Sequence, residues 1–202
     1  MFNIDVHILK MGRDSEEYFE SCLRSLENEP INVYFESGIL GKLGQARING
    51  FDHGSAEFVS YVDPDDIIKP GIFQKMISAW DDDCCGMYCD YERIDEHGNF
   101  LKAGITVGQE YSFEKMVEHP TNVHQLIIYK RKTVDKYKHL MKDYMIYPEN
   151  ILNIGTAHFE GKPFKHFNEV GYCWRHCPKD RSFLKFNEEK IRKNNFLKEI
   201  LG

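Results

Sequence analysis

The sequence contains no stretch of about 18 apolar residues, the length a membrane-spanning helix requires, and its first residues show no basic segment followed by an apolar one. No transmembrane segment and no cleaved leader are therefore expected, and the cytoplasm is the expected compartment. Cysteine is too scattered for a disulfide-stapled secreted domain: there are six in 202 residues, two of them adjacent at Cys84 and Cys85. No cysteine pair has the two-residue spacing of a structural zinc site, so Cys84, Cys85, Cys89, Cys173 and Cys177 read as buried or incidental thiols. A surplus of positive charge is also missing. The formal net charge of -6 argues against a chain that coats nucleic acid with its whole surface. There is no internal repeat, no low-complexity linker and no signal of oligomeric state.

What is present is an ordinary globular composition, 42% hydrophobic and 29% charged, with enough apolar side chains to offset the entropy lost on folding. The length fits one domain, residues 1–202. Ile4 to Leu9 reads as a strand, and Asp14 followed three residues later by Glu17 reads as a capping box. It would open a helix with Tyr18, Phe19, Cys22, Leu23 and Leu26 on one face. Ile31 to Phe35 is a second strand, a glycine-bearing connection follows, and a short helix is expected around Ala46. Phe58 to Val62 is an apolar strand, and Pro70 begins a helix carrying Ile72, Phe73, Met76, Ile77 and Trp80 inward. Met87 to Tyr91 and Phe100 to Ile105 flank a turn, Leu126 to Tyr129 and Val170 to Arg175 are further strands, and the last residues suit a helix. Strands alternating with helices predict an α/β fold with a central, mostly parallel mixed sheet flanked by helices.

In such sheets ligands bind beyond the carboxyl ends of the strands. Asp63, Asp65 and Asp66 fall at one of these ends, where Asp-x-Asp offers hard oxygen ligands suited to Mg²⁺ or Mn²⁺ shared with substrate phosphates. The alternative is that these acids cap the helix begun at Pro70. An EF-hand is excluded, because Ile67, Ile68 and Lys69 stand where a calcium loop needs oxygen ligands and a central glycine.

Three longer stretches extend the cluster: Ala46-Arg47-Ile48-Asn49-Gly50 with Ala56-Glu57-Phe58 through Asp66, Met87-Tyr88-Cys89-Asp90-Tyr91 through Gly98, and Tyr172-Cys173-Trp174-Arg175-His176. Together with the basic Lys130-Arg131-Lys132 after a strand, they resemble the ordered signature of family 2 glycosyltransferases of the GT-A fold. The resemblance implies a single GT-A-like domain, with residues 1–66 as a trimmed nucleotide-binding half. Residues 67–202 would be the acceptor-side half and terminal helix. It implies a metal-dependent, inverting hexosyl- or pentosyltransferase using a nucleotide-diphospho-sugar donor, of the UDP type. Asp65 and Asp66 would hold Mn²⁺ or Mg²⁺, with His176 a further metal or diphosphate contact. Asp63, Arg47 and the Glu36-Ser37 strand end would face the nucleotide. The family's general base commonly comes from a Glu-Asp pair at the head of a late helix, and here that place reads Pro148-Glu149-Asn150. Asn150 cannot accept a proton, so the base is Glu149 or Asp143 upstream, or activity is lost.

Two rivals stand beside this. A non-catalytic nucleotide-sugar or glycan-binding module is compatible with Asn150. A nucleotidyltransferase would need a Gly-rich phosphate loop, of which Met11-Gly12-Arg13 is a poor version. The acceptor is expected to be a glycan or, as in small viral members of this fold, hydroxymethylated DNA held by the basic stretch from Lys130 to Lys142. The default for that stretch is a solvated helix face.

Overall fold

The computed structural model describes residues 4–12, 14–119, 121–176 and 186–201; for 186–189 only the backbone is described. Arg13, Lys185 and Cys177 lie outside the described residues. One eight-stranded sheet organises the chain in the order β2-β1-β3-β7-β5-β8-β4, with β6 paired to β5. The strands are β1 (Ile4–Lys10), β2 (Asn32–Ser37), β3 (Phe58–Val62), β4 (Ile67–Ile68), β5 (Gly86–Ile94), β6 (Phe100–Ala103), β7 (Ile127–Lys130) and β8 (Phe164–Arg175). The helices are α1 (Glu16–Leu26), α2 (Leu43–Phe51), α3 (Ile72–Ser78), α4 (Phe113–Glu118), α5 (Arg131–Tyr137), α6 (Pro148–Glu160) and α7 (Phe186–Leu201). The predicted parallel order holds for β1 with β2 and β3 and for β5 with β8. The other four pairings are antiparallel.

Two apolar layers lie on the two faces of the sheet, as alternate side chains of a strand must. One gathers Cys22 and Leu26 of α1 with Ile72, Phe73 and Met76 of α3 over Val6, Ile8 and Val62. The other gathers Phe51, Met116, Val134, Leu152 and Ile154 over Val59, Tyr61, Ile127 and Tyr129. Strand β3 is buried at all five positions, so it is an interior strand, and Asp63 follows its end half-buried.

Two local expectations shift. Helix α1 is capped by the Ser15 hydroxyl, which accepts from Tyr18 N–H at 3.4 Å, while the Asp14 carboxylate accepts from Met11 N–H at 2.6 Å. Asp14 therefore closes the preceding turn and leaves the cap to its neighbour. Helix α3 starts at Ile72 behind Gly71, whose φ of 76° lies in the left-handed region that favours glycine. Its cap is the Glu29 carboxylate, which accepts from Gly71 N–H and from Phe73 N–H at 3.3 Å. Glu29 thus does the work that the capping alternative assigned to Asp63, Asp65 and Asp66.

The five described cysteines that are buried, Cys22, Cys84, Cys85, Cys89 and Cys173, are all free thiols. No helix among the described residues is long and apolar enough to cross a membrane.

Candidate functional site

Asp63 leaves β3 where β1 and α2 converge, and Arg47 of α2 meets it there. Arg47 Nη2 donates to Asp63 Oδ1 at 2.9 Å, Nε donates to Glu149 Oε1 in the first turn of α6, and Nη1 lies 3.4 Å from His7 Nε2 on β1. The guanidinium also sits 4.1 Å over the Tyr61 ring. Arg47 is 3% exposed, so its charge is tolerable only because two carboxylates surround it. Those carboxylates hold its pKa above the ordinary arginine range against the opposing effect of burial. Burial is the main reason the Glu149 carboxyl is raised, with Arg47 pulling it back and Asp63 adding to the rise. His7 is pushed well below the usual imidazole value by burial and by Arg47, and it stays neutral.

The other oxygen of Asp63 accepts from Gln125, just before β7, and its backbone N–H donates to the Tyr172 hydroxyl at 3.3 Å. Two side chains, from α2 and from the segment before β7, thus hold the Asp63 carboxylate, and Tyr172 of β8 holds its backbone. Sequence spacing signalled Asp63 and Arg47. His7 and Gln125 carry no motif, and only the sheet order brings them in.

The three acids of the cluster separate into different environments. Asp66 is fully buried: the Tyr172 hydroxyl donates to Oδ2 at 2.6 Å and Arg175 N–H donates to Oδ1 at 2.7 Å. Each of its oxygens accepts a hydrogen bond inside the fold, so Asp66, expected as a metal ligand, braces the turn after β3 against β8. Arg175 completes that brace, donating to the carbonyls of Asp65, Asp95 and Glu96 at 2.7, 3.2 and 3.0 Å. Asp65 alone keeps a carboxylate that no side chain among the described residues pairs with. Burial, then the nearby Asp63 charge, raises its pKa to about 6. A cation would relieve that repulsion. No group of three His, Cys, Asp or Glu side chains is arranged to hold a metal among the described residues. The donor set instead fits the Mg²⁺ habit of one or two carboxylates completed by substrate phosphates.

The remaining predicted residues are dispersed. Glu36 ends β2 and pairs with His53 at 2.9 Å, and Tyr34 stacks on that imidazole at 5.6 Å. His176 follows β8 and is fixed by its N–H donating to the Ile94 carbonyl at 2.8 Å; its ring is not brought to Asp65 by any contact. Asp143 lies away from the Arg47 cluster, on a groove of about 690 Å³ between α2 and α7, with its carbonyl accepting from Arg192 at 2.6 Å. Asn150 points into the interior: its amide donates to the Met116 carbonyl at 3.1 Å and its oxygen accepts from Lys193 of α7 at 2.8 Å. Of the two candidates for the base, the geometry joins Glu149 to the cluster and leaves Asp143 outside it.

The basic stretch is largely committed. Lys130 pairs with Glu57 and Asp82, Lys136 with Glu160, and Lys138 with Asp52 and Asp135. Arg131 is tied to the buried Asp5 at 2.7 Å and to three backbone carbonyls.

The family model for glycosyl transferase family 2 matches residues 13–138, more than half of the chain. Among solved structures, S. aureus TarS is similar over 98% of this chain and 43% of its own, with a TM-score of 0.63 and 14% identity. TarS 1–349 in complex with UDP-GlcNAc is similar over 98% and 71%, with a TM-score of 0.62 and 13% identity. The same fragment in complex with UDP gives 0.60 and 15%. This chain thus spans less than half the length of the full TarS chain, and at such identities the likeness is one of fold. Among curated proteins no match is found.

Proposed function

The chain belongs to glycosyl transferase family 2, and from that membership we propose that it moves a sugar from a nucleoside-diphosphate donor of the UDP type to an acceptor hydroxyl, with inversion. The observation that carries the reading is the Arg47 bridge, which joins the Asp63 end of β3 to Glu149 at the head of α6. It fixes a proton acceptor beside the acids that would face the donor phosphates.

In this reading residues 1–66 contribute the nucleotide side and residues 67–202 the acceptor side. Asp65 holds a divalent cation, Mn²⁺ or Mg²⁺, together with the donor diphosphate; when bound, that ion neutralises charge on the leaving group. Asp63 stays paired with Arg47 and orients it. The acceptor oxygen bonds to the anomeric carbon on the face opposite the diphosphate, the bond from that carbon to the diphosphate oxygen breaks, and the acceptor proton passes to Glu149. Burial favours the protonated form of Glu149, which suits a group that must take up a proton.

A second reading rests on a specific observation. The Glu149 carboxylate is already engaged by Arg47, and its neighbour is an inward-facing asparagine. A non-catalytic nucleotide-sugar-binding module would look the same.

Calorimetric titration with nucleoside diphosphates, with Mn²⁺, with Mg²⁺ and with chelator, tests the donor site. Metal-dependent binding of UDP is expected, and no binding of any nucleotide would overturn both readings. Release of UDP from UDP-sugars in the presence of glycan acceptors separates transferase from binding module.

A further inference from the structure

We propose that Arg93, His124 and the face of Trp174 form a phosphoryl-binding subsite on the cleft wall, continuing from the Asp63 cluster along β5 and β8. The parallel register places Tyr91 beside Tyr172 and Arg93 beside Trp174. Alternate residues of a strand share a face, so Arg93 and Trp174 lie one step further along the face from which Tyr172 reaches Asp63 and Asp66.

Three features of this wall point to an anionic ligand. The Arg93 guanidinium lies 4.5 Å over the Trp174 ring, and no carboxylate pairs with it among the described residues. The buried or braced arginines Arg47, Arg131 and Arg175 are all engaged by acids or carbonyls. His124 lies 5.5 Å from Trp174 and 5.6 Å from Tyr91, is 8% exposed, and has no hydrogen-bond partner at Nδ1. Beyond Trp174, His176 Nδ1 is also buried without a partner. Leaving such a nitrogen unpaired is costly, and only three buried side-chain polar atoms are so placed among the described residues. One of them, His124, lies against the indole over which the Arg93 guanidinium is stacked.

A guanidinium, with the His124 imidazole beside it in the tautomer that carries its proton on Nδ1, offers donors to the oxygens of a phosphoryl group. A neutral hydroxyl would not call for the cation. The Asp63 charge that reaches His124 is offset by its ion pair with Arg47, so it does not bar an anion here. This rests on the glycosyltransferase reading only in naming where the phosphoryl group comes from: the donor diphosphate or a phosphorylated acceptor.

The test is calorimetric binding of UDP, uridine, inorganic phosphate and glycerol 3-phosphate to the wild-type chain and to Arg93→Gln, with Arg93→Lys as a charge-retaining control. Loss of a charged hydrogen bond predicts a fall of about 10- to 100-fold in affinity for Arg93→Gln, and a smaller one for Arg93→Lys. If the donor supplies the group, UDP weakens and uridine does not. If an acceptor supplies it, UDP is unchanged while phosphate and glycerol 3-phosphate weaken. Unchanged affinity for all of them in a folded Arg93→Gln chain, or no phosphate-bearing ligand bound by the wild type, overturns the proposal. A wild type that binds inorganic phosphate but not UDP sinks the donor reading and leaves the subsite standing.

Discussion

Arg47 and Glu149 stand 102 residues apart in sequence and meet as a buried ion pair, with side-chain exposures of 3% and 10%. Such a pair adds little net stability over an apolar substitute, but breaking it strands a charge in the interior.

Arg47→Met should therefore destabilise the chain by about 3–5 kcal/mol, because Glu149 and Asp63 lose their shared cation. The double variant Arg47→Met with Glu149→Gln should recover part of that loss. Urea midpoints of the wild type, both single variants and the double variant measure the coupling. Additive effects would mean that the two side chains do not interact in solution.

Glu149→Gln keeps the shape of the side chain and removes its capacity to take up a proton. Turnover should fall about 10²- to 10⁴-fold, the range for a general base, with UDP affinity held within a factor of about two. Initial rates at saturating donor and titrations of UDP separate the two quantities. An unaltered rate would take the proton from Glu149 and reopen the question of the base.

Much of this arrangement was legible from the sequence and some of it was not, for physical reasons. Strand β3 reads as five consecutive apolar or small residues ending in Asp63, and α3 reads from the spacing of Ile72, Phe73 and Met76, since both patterns are local. Arg47 and Asp63 were recognisable because they lie in one ordered signature. The three acids could not be told apart, because the partner that buries Asp66 is a tyrosine 106 residues away. His7, Gln125 and the Glu29 cap depend in the same way on pairing across the sheet, which no local pattern encodes.

Asp65 should make donor binding depend on pH. Its carboxyl is raised from the usual 3.8 to about 6, first by burial and then by Asp63. A cation needs the ionised form, so metal-dependent UDP affinity should rise as pH increases through about 6. For folding the sign is opposite. Between roughly pH 4 and 6 the native chain holds a proton that the unfolded chain has released, so this group's contribution to stability falls as pH rises across that window. Titrations at pH 5, 6 and 7 on the wild type and Asp65→Asn test both statements. The variant should lose the metal dependence and flatten the pH response, and an Asp65→Asn chain that still binds UDP only with Mn²⁺ would remove Asp65 from the donor site.

Gly44, the second residue of α2, packs against the segment that leads to α6. A Cβ there would stand 1.8 Å from the Met141 carbonyl oxygen and 2.9 Å from that of Tyr144, both backbone atoms that cannot step aside. Gly44→Ala should cost about 1–3 kcal/mol, the range for overpacking, and should tilt the helix that carries Arg47. Loss of UDP affinity alongside stability would tie the two. A thermal midpoint equal to that of the wild type would show that the two segments are further apart in solution.

A DNA acceptor makes the sharpest demand on the surface, because phosphate contacts need lysines that are not already neutralised. Lys130, Lys136 and Lys138 are paired with Glu57, Asp82, Glu160, Asp52 and Asp135, and the chain as a whole carries a net charge of -6. A contact to DNA through any of these three lysines would have to break its pairs and overcome the repulsion of the carboxylates left behind. Duplex DNA, hydroxymethylated or plain, should therefore not bind measurably at physiological salt, and charge reversal at Lys132 and Lys136 should change nothing. Fluorescence anisotropy across a salt series decides it: binding that weakens steeply with salt and disappears in Lys132→Glu with Lys136→Glu would place DNA back among the acceptors, ahead of a glycan.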